Sequence, residues 1–100
     1  MSQIFASYGP VFLVREPRSS NLSQDTLRVY PYKHHIVRDN IVFDLDANGE
    51  AVEDRSNPIA KIDWHDGSVK ILNKDLWKCL SQSIQEAIEL DFANFYQWNS

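Results

Sequence analysis

Cysteine, glycine and long apolar segments are scarce in this sequence of 100 residues, and each scarcity excludes a class of protein. Cys79 is the single cysteine, so the chain forms no internal disulfide and no multi-cysteine zinc site, and we expect a reducing, cytoplasmic environment. The three glycines stand apart, which excludes a glycine-rich phosphate loop. No segment approaches the roughly 20 apolar residues of a membrane-spanning helix, and the N-terminal segment lacks the basic flank of a secretory signal. We therefore expect no membrane contact.

Basic residues are also in the minority: ten Lys and Arg stand against fourteen Asp and Glu, for a formal charge of −4. The excess lies in residues 41–100, where five basic residues face eleven acidic ones. An acidic surface argues against duplex nucleic acid, because Lys and Arg must neutralise its phosphates. It fits a protein partner with a basic surface, a bound cation, or solubility alone.

The chain changes its hydrophobic period after Asn73, and this change predicts an α+β fold. Before it, short alternating segments separated by turn residues predict an antiparallel sheet of five or six short strands, connected as a meander of hairpins. After it, apolar residues predict one long C-terminal amphipathic helix over residues 74–97, capped by Asn73 and packed on one face of the sheet. The apolar stripe consists of Trp77, Leu80, Ile84, Ile88, Phe92 and Phe95. We expect residues 1–100 to form a single domain, with residues 17–25 as a polar, mobile loop.

The sharpest local signal is Asp66-Gly67, which stands between two alternating segments within residues 59–72. Asp-Gly is typical of two-residue hairpin turns, because both turn residues need positive φ. Such a turn predicts four cross-strand pairs: His65 with Ser68, Trp64 with Val69, Asp63 with Lys70, and Ile62 with Ile71. In this register Trp64 and Val69 face the core.

Asn48-Gly49 predicts a second hairpin turn, within an acidic segment. A two-residue turn there pairs Leu45 with Val52 on the inner face. It pairs Asp44 with Glu53 on the outer face. Like charges in opposite positions destabilise a strand pair, so a basic protein partner, a bound cation or solvent must accommodate them. The candidate partner-binding residues of this segment are Asp44, Asp46, Glu53 and Asp54.

The same segment resembles the start of a calcium-binding EF-hand loop. Asp44, Asp46, Asn48 and Gly49 match the first, third, fifth and sixth positions of that loop. The resemblance ends there, because the twelfth position holds Arg55 in place of the bidentate Glu, and the flanking segments are predicted as strands. It implies, as an alternative use of the acidic hairpin, a calcium site formed by Asp44, Asp46 and Asn48.

A single-stranded nucleic acid is a further alternative partner. Basic residues and tyrosines are interleaved between residues 15 and 38, a pattern typical of surfaces that combine phosphate contacts with base stacking. The candidate residues are Arg15, Arg28, Tyr30, Lys33 and Arg38. Arg28 and Tyr30 are expected to share one strand face, since they lie two positions apart.

The end of the helix carries two aromatic residues outside the apolar stripe, Tyr96 and Trp98. Exposed Tyr and Trp are enriched at protein interfaces, so this end is a second candidate partner-binding surface and a candidate homodimer contact. The alternative is that both side chains complete the core at the edge of the sheet.

No set of residues predicts an enzyme. His34 and His35 are neighbours in a predicted strand and point to opposite faces, and Cys79 lies alone on the helix. The chain has no Gly-x-Ser-x-Gly nucleophile motif, and no cofactor is expected. We therefore interpret the sequence as a non-enzymatic protein-interaction module. Inhibitors, immunity-type proteins and small phage or mobile-element factors, which act by occupying a partner's surface, commonly have chains of this kind.

Overall fold

The structure is a computed structural model, and it describes residues 3–16 and 25–99 of the chain. The described residues form seven strands and two helices. In chain order these are β1 (Gln3–Tyr8), β2 (Val11–Glu16), β3 (Thr26–Pro31), β4 (His34–Val37), β5 (Asn40–Phe43), β6 (Ala60–Ile62), β7 (Val69–Ile71), α1 (Lys74–Lys78) and α2 (Gln82–Asn99). Residues 17–24 of the predicted polar loop lie outside the described residues.

Five of the described strands form one antiparallel sheet in the order β1-β2-β3-β6-β7, and β4 and β5 form a separate two-stranded sheet. The first three strands follow one another as a meander, and β6 and β7 extend it after the β4–β5 insertion. With α2 at the C-terminal end, the predicted α+β fold built from antiparallel hairpins is confirmed. Strand β1 was not predicted; it pairs with β2 across a tight turn at Gly9-Pro10.

Helix α2 packs on one face of the five-stranded sheet, where the main core lies. Alternate residues of β2 and β3 point to this face, and Val11, Leu13 and Val29 are buried there. The helical stripe contributes five buried side chains, Trp77, Leu80, Ile88, Phe92 and Phe95. Ile84 packs at the margin of the same core. The predicted apolar stripe is therefore the core face, and its burial is the main stabilising contribution.

The opposite face of the sheet carries a smaller core of Phe12, Val14 and Tyr30, with Tyr32 packed beside it. The Arg55 guanidinium lies over the Phe12 ring, 5.7 Å from the ring centroid. Both faces of β2 are thus covered over its first four residues, which explains why these residues are consecutively apolar and buried.

The predicted helix over residues 74–97 is divided in the structure. Helix α1 ends at Lys78 and α2 begins at Gln82, so the apolar period continues although the backbone turns between them. Asn73 caps α1 as predicted, since its side-chain oxygen accepts a hydrogen bond from the Leu76 amide at 3.2 Å.

The Gln85 side chain spans the interruption between the two helices. Its side-chain amide donates to the backbone carbonyl of Trp77 at 2.9 Å and to that of Leu80 at 3.3 Å. These bonds link the first turn of α2 to the end of α1, where the Trp77 carbonyl also accepts a backbone hydrogen bond from the Leu80 amide at 3.1 Å. Ser81 caps the N-terminus of α2, because its hydroxyl accepts a hydrogen bond from the Ile84 amide at 3.4 Å. The sequence pattern does not reveal the break, since Gln85 occupies a polar position of an unbroken helical period.

The register predicted for the β6–β7 hairpin is wrong by two residues. Ile62 pairs with Val69 rather than with Ile71. Ala60 is the partner of Ile71. A shift of two keeps each side chain on its predicted face, because strand faces alternate with a period of two. Trp64 accordingly packs against the main core, as predicted, although it does not pair with Val69.

The shift arises in the turn. The loop is residues 64–67 rather than two residues, since Asp63 and Ser68 close it through a backbone hydrogen bond of 2.9 Å. Gly67 has a φ of 78°, and its amide donates to the Asp63 carbonyl at 2.7 Å. Four-residue hairpin loops are also common, and this one also needs a residue with positive φ, so Asp-Gly alone does not determine the loop length.

Candidate functional site

The β4–β5 hairpin is inserted between β3 and β6, and among the described strands its two strands pair only with each other. Val37 pairs with Asn40 across a two-residue turn of Arg38 and Asp39. Both turn residues have positive φ, 51° and 66°, the geometry that matches the twist of a hairpin. Neither is glycine, so the backbone holds this turn at a cost in conformational energy.

Exposed apolar side chains are concentrated on this hairpin and just after it. We call this surface the apolar ribbon and define it by Ile36, Val37, Ile41, Val42 and Leu45. These are five of the eleven large apolar side chains exposed among the described residues, and Ile36 is 69% exposed. Ile36 and Ile41 pair on one face of the hairpin, so Val37 and Val42 lie on the other. The ribbon therefore presents apolar surface on both faces.

The acidic hairpin that follows β5 does not have its predicted register. Leu45 pairs with Ala51 rather than with Val52, and a three-residue loop, residues 47–49, replaces the two-residue turn. Gly49 ends this loop with a φ of 78°, the left-handed position that such a loop requires. A shift of one residue reverses the faces, so Leu45 is 63% exposed instead of forming an inner pair with Val52.

Two of the predicted partner-binding carboxylates accept hydrogen bonds from nearby groups of the same chain. Asp44 Oδ1 lies 3.0 Å from His35 Nδ1 on the neighbouring strand. Asp46 Oδ1 accepts from the backbone amides of Asn48 at 2.8 Å and Glu50 at 3.0 Å. Asp46 therefore stabilises its own turn. Asp44 and Asp46 are also two of the calcium ligands that the EF-hand resemblance implies.

The other two predicted carboxylates also have partners close by in the chain. Glu53 Oε1 accepts from Arg55 Nη2 at 2.8 Å, and Asp54 Oδ1 accepts from the Ser56 hydroxyl at 2.6 Å. Glu53 pairs with Tyr32 across the sheet, so the predicted like-charge pair of Asp44 and Glu53 does not form. In residues 3–16 and 25–99, no group of three His, Cys, Asp or Glu side chains is arranged to hold a metal ion.

Acidic residues outnumber basic ones around the apolar ribbon. Residues 33–50 contain two cations and four carboxylates, a balance of −2. The cations are Lys33 and Arg38, and the carboxylates are Asp39, Asp44, Asp46 and Glu50. All four acidic residues are exposed. We call these four exposed carboxylates the acidic rim, since protein interfaces commonly combine an apolar core with a polar rim.

Arg28 and Tyr30, two candidates for nucleic-acid binding, share one face of β3 as predicted. Both bind Glu16 of the neighbouring strand: Arg28 Nη1 lies 3.0 Å from one carboxylate oxygen and the Tyr30 hydroxyl 2.7 Å from the other. Burial and the hydrogen bond to Glu16 raise the pKa of Tyr30. The cation of Arg28 is therefore paired within the sheet.

The remaining basic candidates lie elsewhere. Arg15 points to the helix side of the sheet, where its guanidinium pairs with Asp25 at 2.9 Å and lies 5.4 Å from the centroid of the Phe95 ring. Lys33 precedes β4, and Arg38 occupies the tip of the ribbon. The structure does not bring the five predicted residues together into one strip.

Tyr96 and Trp98, at the end of α2, have different surroundings. Tyr96 is half-buried, with its ring 5.7 Å from the Trp64 ring. Trp98 is 87% exposed. It borders a cleft of about 430 Å³ that Phe5 and Phe95 also line. Trp98 is therefore the accessible aromatic residue of the helix end.

The apolar ribbon was not among the predicted site residues, although the sequence carries a signal for it. Ile36-Val37 and Ile41-Val42 place apolar residues at consecutive positions, whereas a strand with one buried face alternates. Consecutive apolar residues indicate a strand that is apolar on both faces. That pattern is shared by buried core strands such as β2 and by exposed contact strands, so only the tertiary structure distinguishes them.

No protein-family model matches the chain, and comparisons with curated proteins and with solved structures also give no match. Within the described part of the chain, neither helix combines the length and apolar character that a membrane crossing requires.

Proposed function

We propose that this chain is a non-enzymatic protein-interaction module that binds its partner through the apolar ribbon. One observation carries the proposal: large apolar side chains are exposed on both faces of β4–β5, and Ile36 is 69% exposed. Contiguous exposed apolar surface is typical of interaction sites, because it stays hydrated until a partner covers it. Complete burial of an aliphatic side chain contributes up to about 1.5–3 kcal/mol.

The acidic rim indicates the chemistry of the partner. We infer a protein surface with an apolar patch bordered by Lys or Arg, complementary to the carboxylates of residues 39–50. Such rim charges act mainly on the association rate and on partner choice. The internal hydrogen bonds of Asp44 and Asp46 support a protein partner over a bound calcium ion. The pairing of Arg28 with Glu16 supports it over a single-stranded nucleic acid.

The proposed mode of action is occupation of a partner's surface, as in inhibitors, immunity-type proteins and small phage or mobile-element factors. The absence of an acid–base or nucleophile set in the sequence supports a role without catalysis. A cytoplasmic location is part of the same proposal, supported by the single cysteine, Cys79.

A comparative pull-down from the native host tests the proposal. The tagged full chain is compared with an Ile36→Ser, Ile41→Ser variant, which removes the apolar pair on one face of the ribbon. The matched control is Leu90→Ser, because Leu90 is 61% exposed and belongs to α2 rather than to the ribbon. Circular dichroism verifies that all three proteins remain folded. We expect at least one protein that the wild type and Leu90→Ser retain and the ribbon variant loses.

Recovery of an identical set of proteins from all three baits would exclude the ribbon as the binding surface.

Where a ribbon-dependent protein is recovered and purified, Glu50→Lys should slow its association with the chain and reduce the salt dependence of the association rate. Glu86→Lys makes the same charge change on α2 and should leave the rate unaltered.

A homodimer through the helix end is a second candidate, because Trp98 is 87% exposed beside Phe5 and Phe95. Exposed Trp residues of this kind are common anchors in protein interfaces. Sedimentation velocity of the purified chain should then show a dimer that Trp98→Ala converts to a monomer. A monomeric wild-type chain at high concentration excludes this candidate and leaves the ribbon proposal intact.

A further inference from the structure

A second surface lies at the edge of the main sheet, between β7 and α2. β7 is the last strand in the order β1-β2-β3-β6-β7, so among the described strands it has a neighbour on one side only. Beside it lies a groove of about 460 Å³. Trp77 and Ala93 line the groove from the helical side, and Val69 and Ile71 line it from the strand.

β7 directs backbone groups toward its open edge. Residues of an antiparallel pair alternate between those that bond to the neighbouring strand and those whose backbone groups point away from it. Ser68 and Leu72 bond to the adjacent segment, with N···O distances of 2.9 Å and 2.8 Å. Val69 and Ile71 occupy the alternate positions, so their N–H and C=O groups point away from β6. An open edge of this kind is a template for another strand.

The groove combines an apolar lining with negative charge. Trp77, Ile71 and Ala93 provide apolar surface, and the carboxylates of Asp66 and Glu89 also line the groove. No Lys or Arg is among the described residues that line the groove. Hydrogen bonds from the Ser68 hydroxyl and amide hold the pKa of the Asp66 carboxyl below its ordinary value.

We propose that this groove binds an extended peptide segment of a partner protein, which adds to the sheet beside β7. Backbone hydrogen bonds to Val69 and Ile71 would align the segment, as in other complexes formed by strand addition. Alternate side chains face the groove, so an apolar one contacts Trp77 and a basic one pairs with Asp66 or Glu89. The groove shares no residue with the apolar ribbon, so the two proposals succeed or fail independently.

The test is a titration of the ¹⁵N-labelled full chain followed by NMR. The probe is a blocked synthetic peptide in which arginine and valine alternate with threonine. We expect the amide signals of Val69 and Ile71 to move most, and N-methylation of the peptide backbone to abolish the shifts. Glu89→Lys should raise the dissociation constant about three- to tenfold at low ionic strength. Glu86→Lys, with the same charge change one turn earlier on α2, should not.

Three results would overturn the proposal. The first is the absence of amide shifts at millimolar peptide. The second is equal binding by either control peptide. Equal binding by the N-methylated peptide would exclude strand addition, and equal binding by a peptide with glutamate in place of arginine would exclude charge recognition. The third is a set of shifts confined to β4 and β5, which would assign peptide binding to the ribbon instead.

Discussion

The backbone of Gly67 packs closely against the side chain of Tyr96. A Cβ atom added to Gly67 would stand 2.6 Å from Tyr96 Cγ, closer than real Cβ contacts allow. The glycine thus meets two requirements, a φ of 78° and the close approach of the β6–β7 loop to α2. We expect Gly67→Ala to destabilise the fold by about 2–5 kcal/mol, the sum of left-handed strain and overpacking.

Gly49→Ala is the matched control for that substitution. Gly49 has the same φ of 78°, but nothing lies within 4 Å of a Cβ atom built there. Its replacement should therefore cost only the backbone strain, about 1–2 kcal/mol. Chemical denaturation measures both free energies of unfolding. Equal losses for the two variants would show that the contact with Tyr96 does not constrain the loop.

Phe92 anchors α2 in the main core, where its side chain is fully buried. Phe92→Ala should cost about 3–5 kcal/mol, because it removes apolar contacts and leaves a cavity. Leu90, two positions earlier, is 61% exposed, and Leu90→Ala should change stability by less than about 0.5 kcal/mol. Urea denaturation compares the two variants. A similar cost for both would place the core on a different face of α2.

The Tyr8 hydroxyl donates a hydrogen bond to Asp91 on α2. This bond, with burial and the negative charge of Asp91, raises the pKa of Tyr8 from 10.0 to about 12. A group whose pKa is raised by folding stabilises the protein at pH values below its pKa in the unfolded chain. This stabilisation is lost as the pH rises through the pKa of the group in the folded protein. Tyr8→Phe should therefore cost about 1 kcal/mol at neutral pH.

The pH dependence distinguishes this bond from simple packing. The difference in unfolding free energy between the wild type and Tyr8→Phe should stay constant up to about pH 10 and vanish by about pH 12. Other tyrosines, including Tyr30, are present in both proteins, so their titration cancels in the difference. A difference that persists unchanged above pH 12 would contradict the contribution of the Tyr8–Asp91 bond.

The turn of the ribbon can be relieved of strain. Arg38 and Asp39 both have positive φ, and Asn-Gly is the sequence that best fits this turn type. Arg38→Asn with Asp39→Gly should stabilise the β4–β5 hairpin by about 1 kcal/mol. Hydrogen exchange of the hairpin amides should slow about fivefold, while the amides of β2 serve as an internal control. Unchanged or faster exchange in the hairpin would show that the turn is not strained.

Features with a local cause were predictable from the sequence. Asn73 caps α1 and the stripe from Trp77 to Phe95 forms the core face, since both depend on spacing along a helix. The antiparallel hairpins follow from their turn residues in the same way. The break at Ser81 was not predictable, because the apolar period continues through it without interruption.

Loop length was less predictable than loop position. Gly67 ends a loop of four residues and Gly49 a loop of three, whereas two-residue turns were predicted at both places. Hairpin loops of two, three and four residues all need a residue with positive φ, so the glycine alone does not determine the loop length. The shift of two at Gly67 left the faces intact. The shift of one at Gly49 moved Leu45 to the surface. A register error therefore alters the assigned face only when it is odd.

The candidate site was the least predictable feature. Whether Ile36 and Ile41 are buried depends on whether another element covers the hairpin, and no local pattern encodes that. The groove beside β7 likewise depends on strand order, which the sequence left open. The acidic residues are evident from composition, but their partners within the chain, such as His35 for Asp44, emerge only in the fold.

The proposed binding surface can be mapped before the partner is identified. A photo-crosslinking side chain is placed at Ile36 on the ribbon and, in a second protein, at Leu90 on α2, which are 69% and 61% exposed. Both proteins are expressed in the native host and irradiated. We expect a discrete protein adduct from position 36 and none from position 90. No adduct at position 36, or the same adducts at both positions, would contradict the claim that the chain acts through its apolar ribbon.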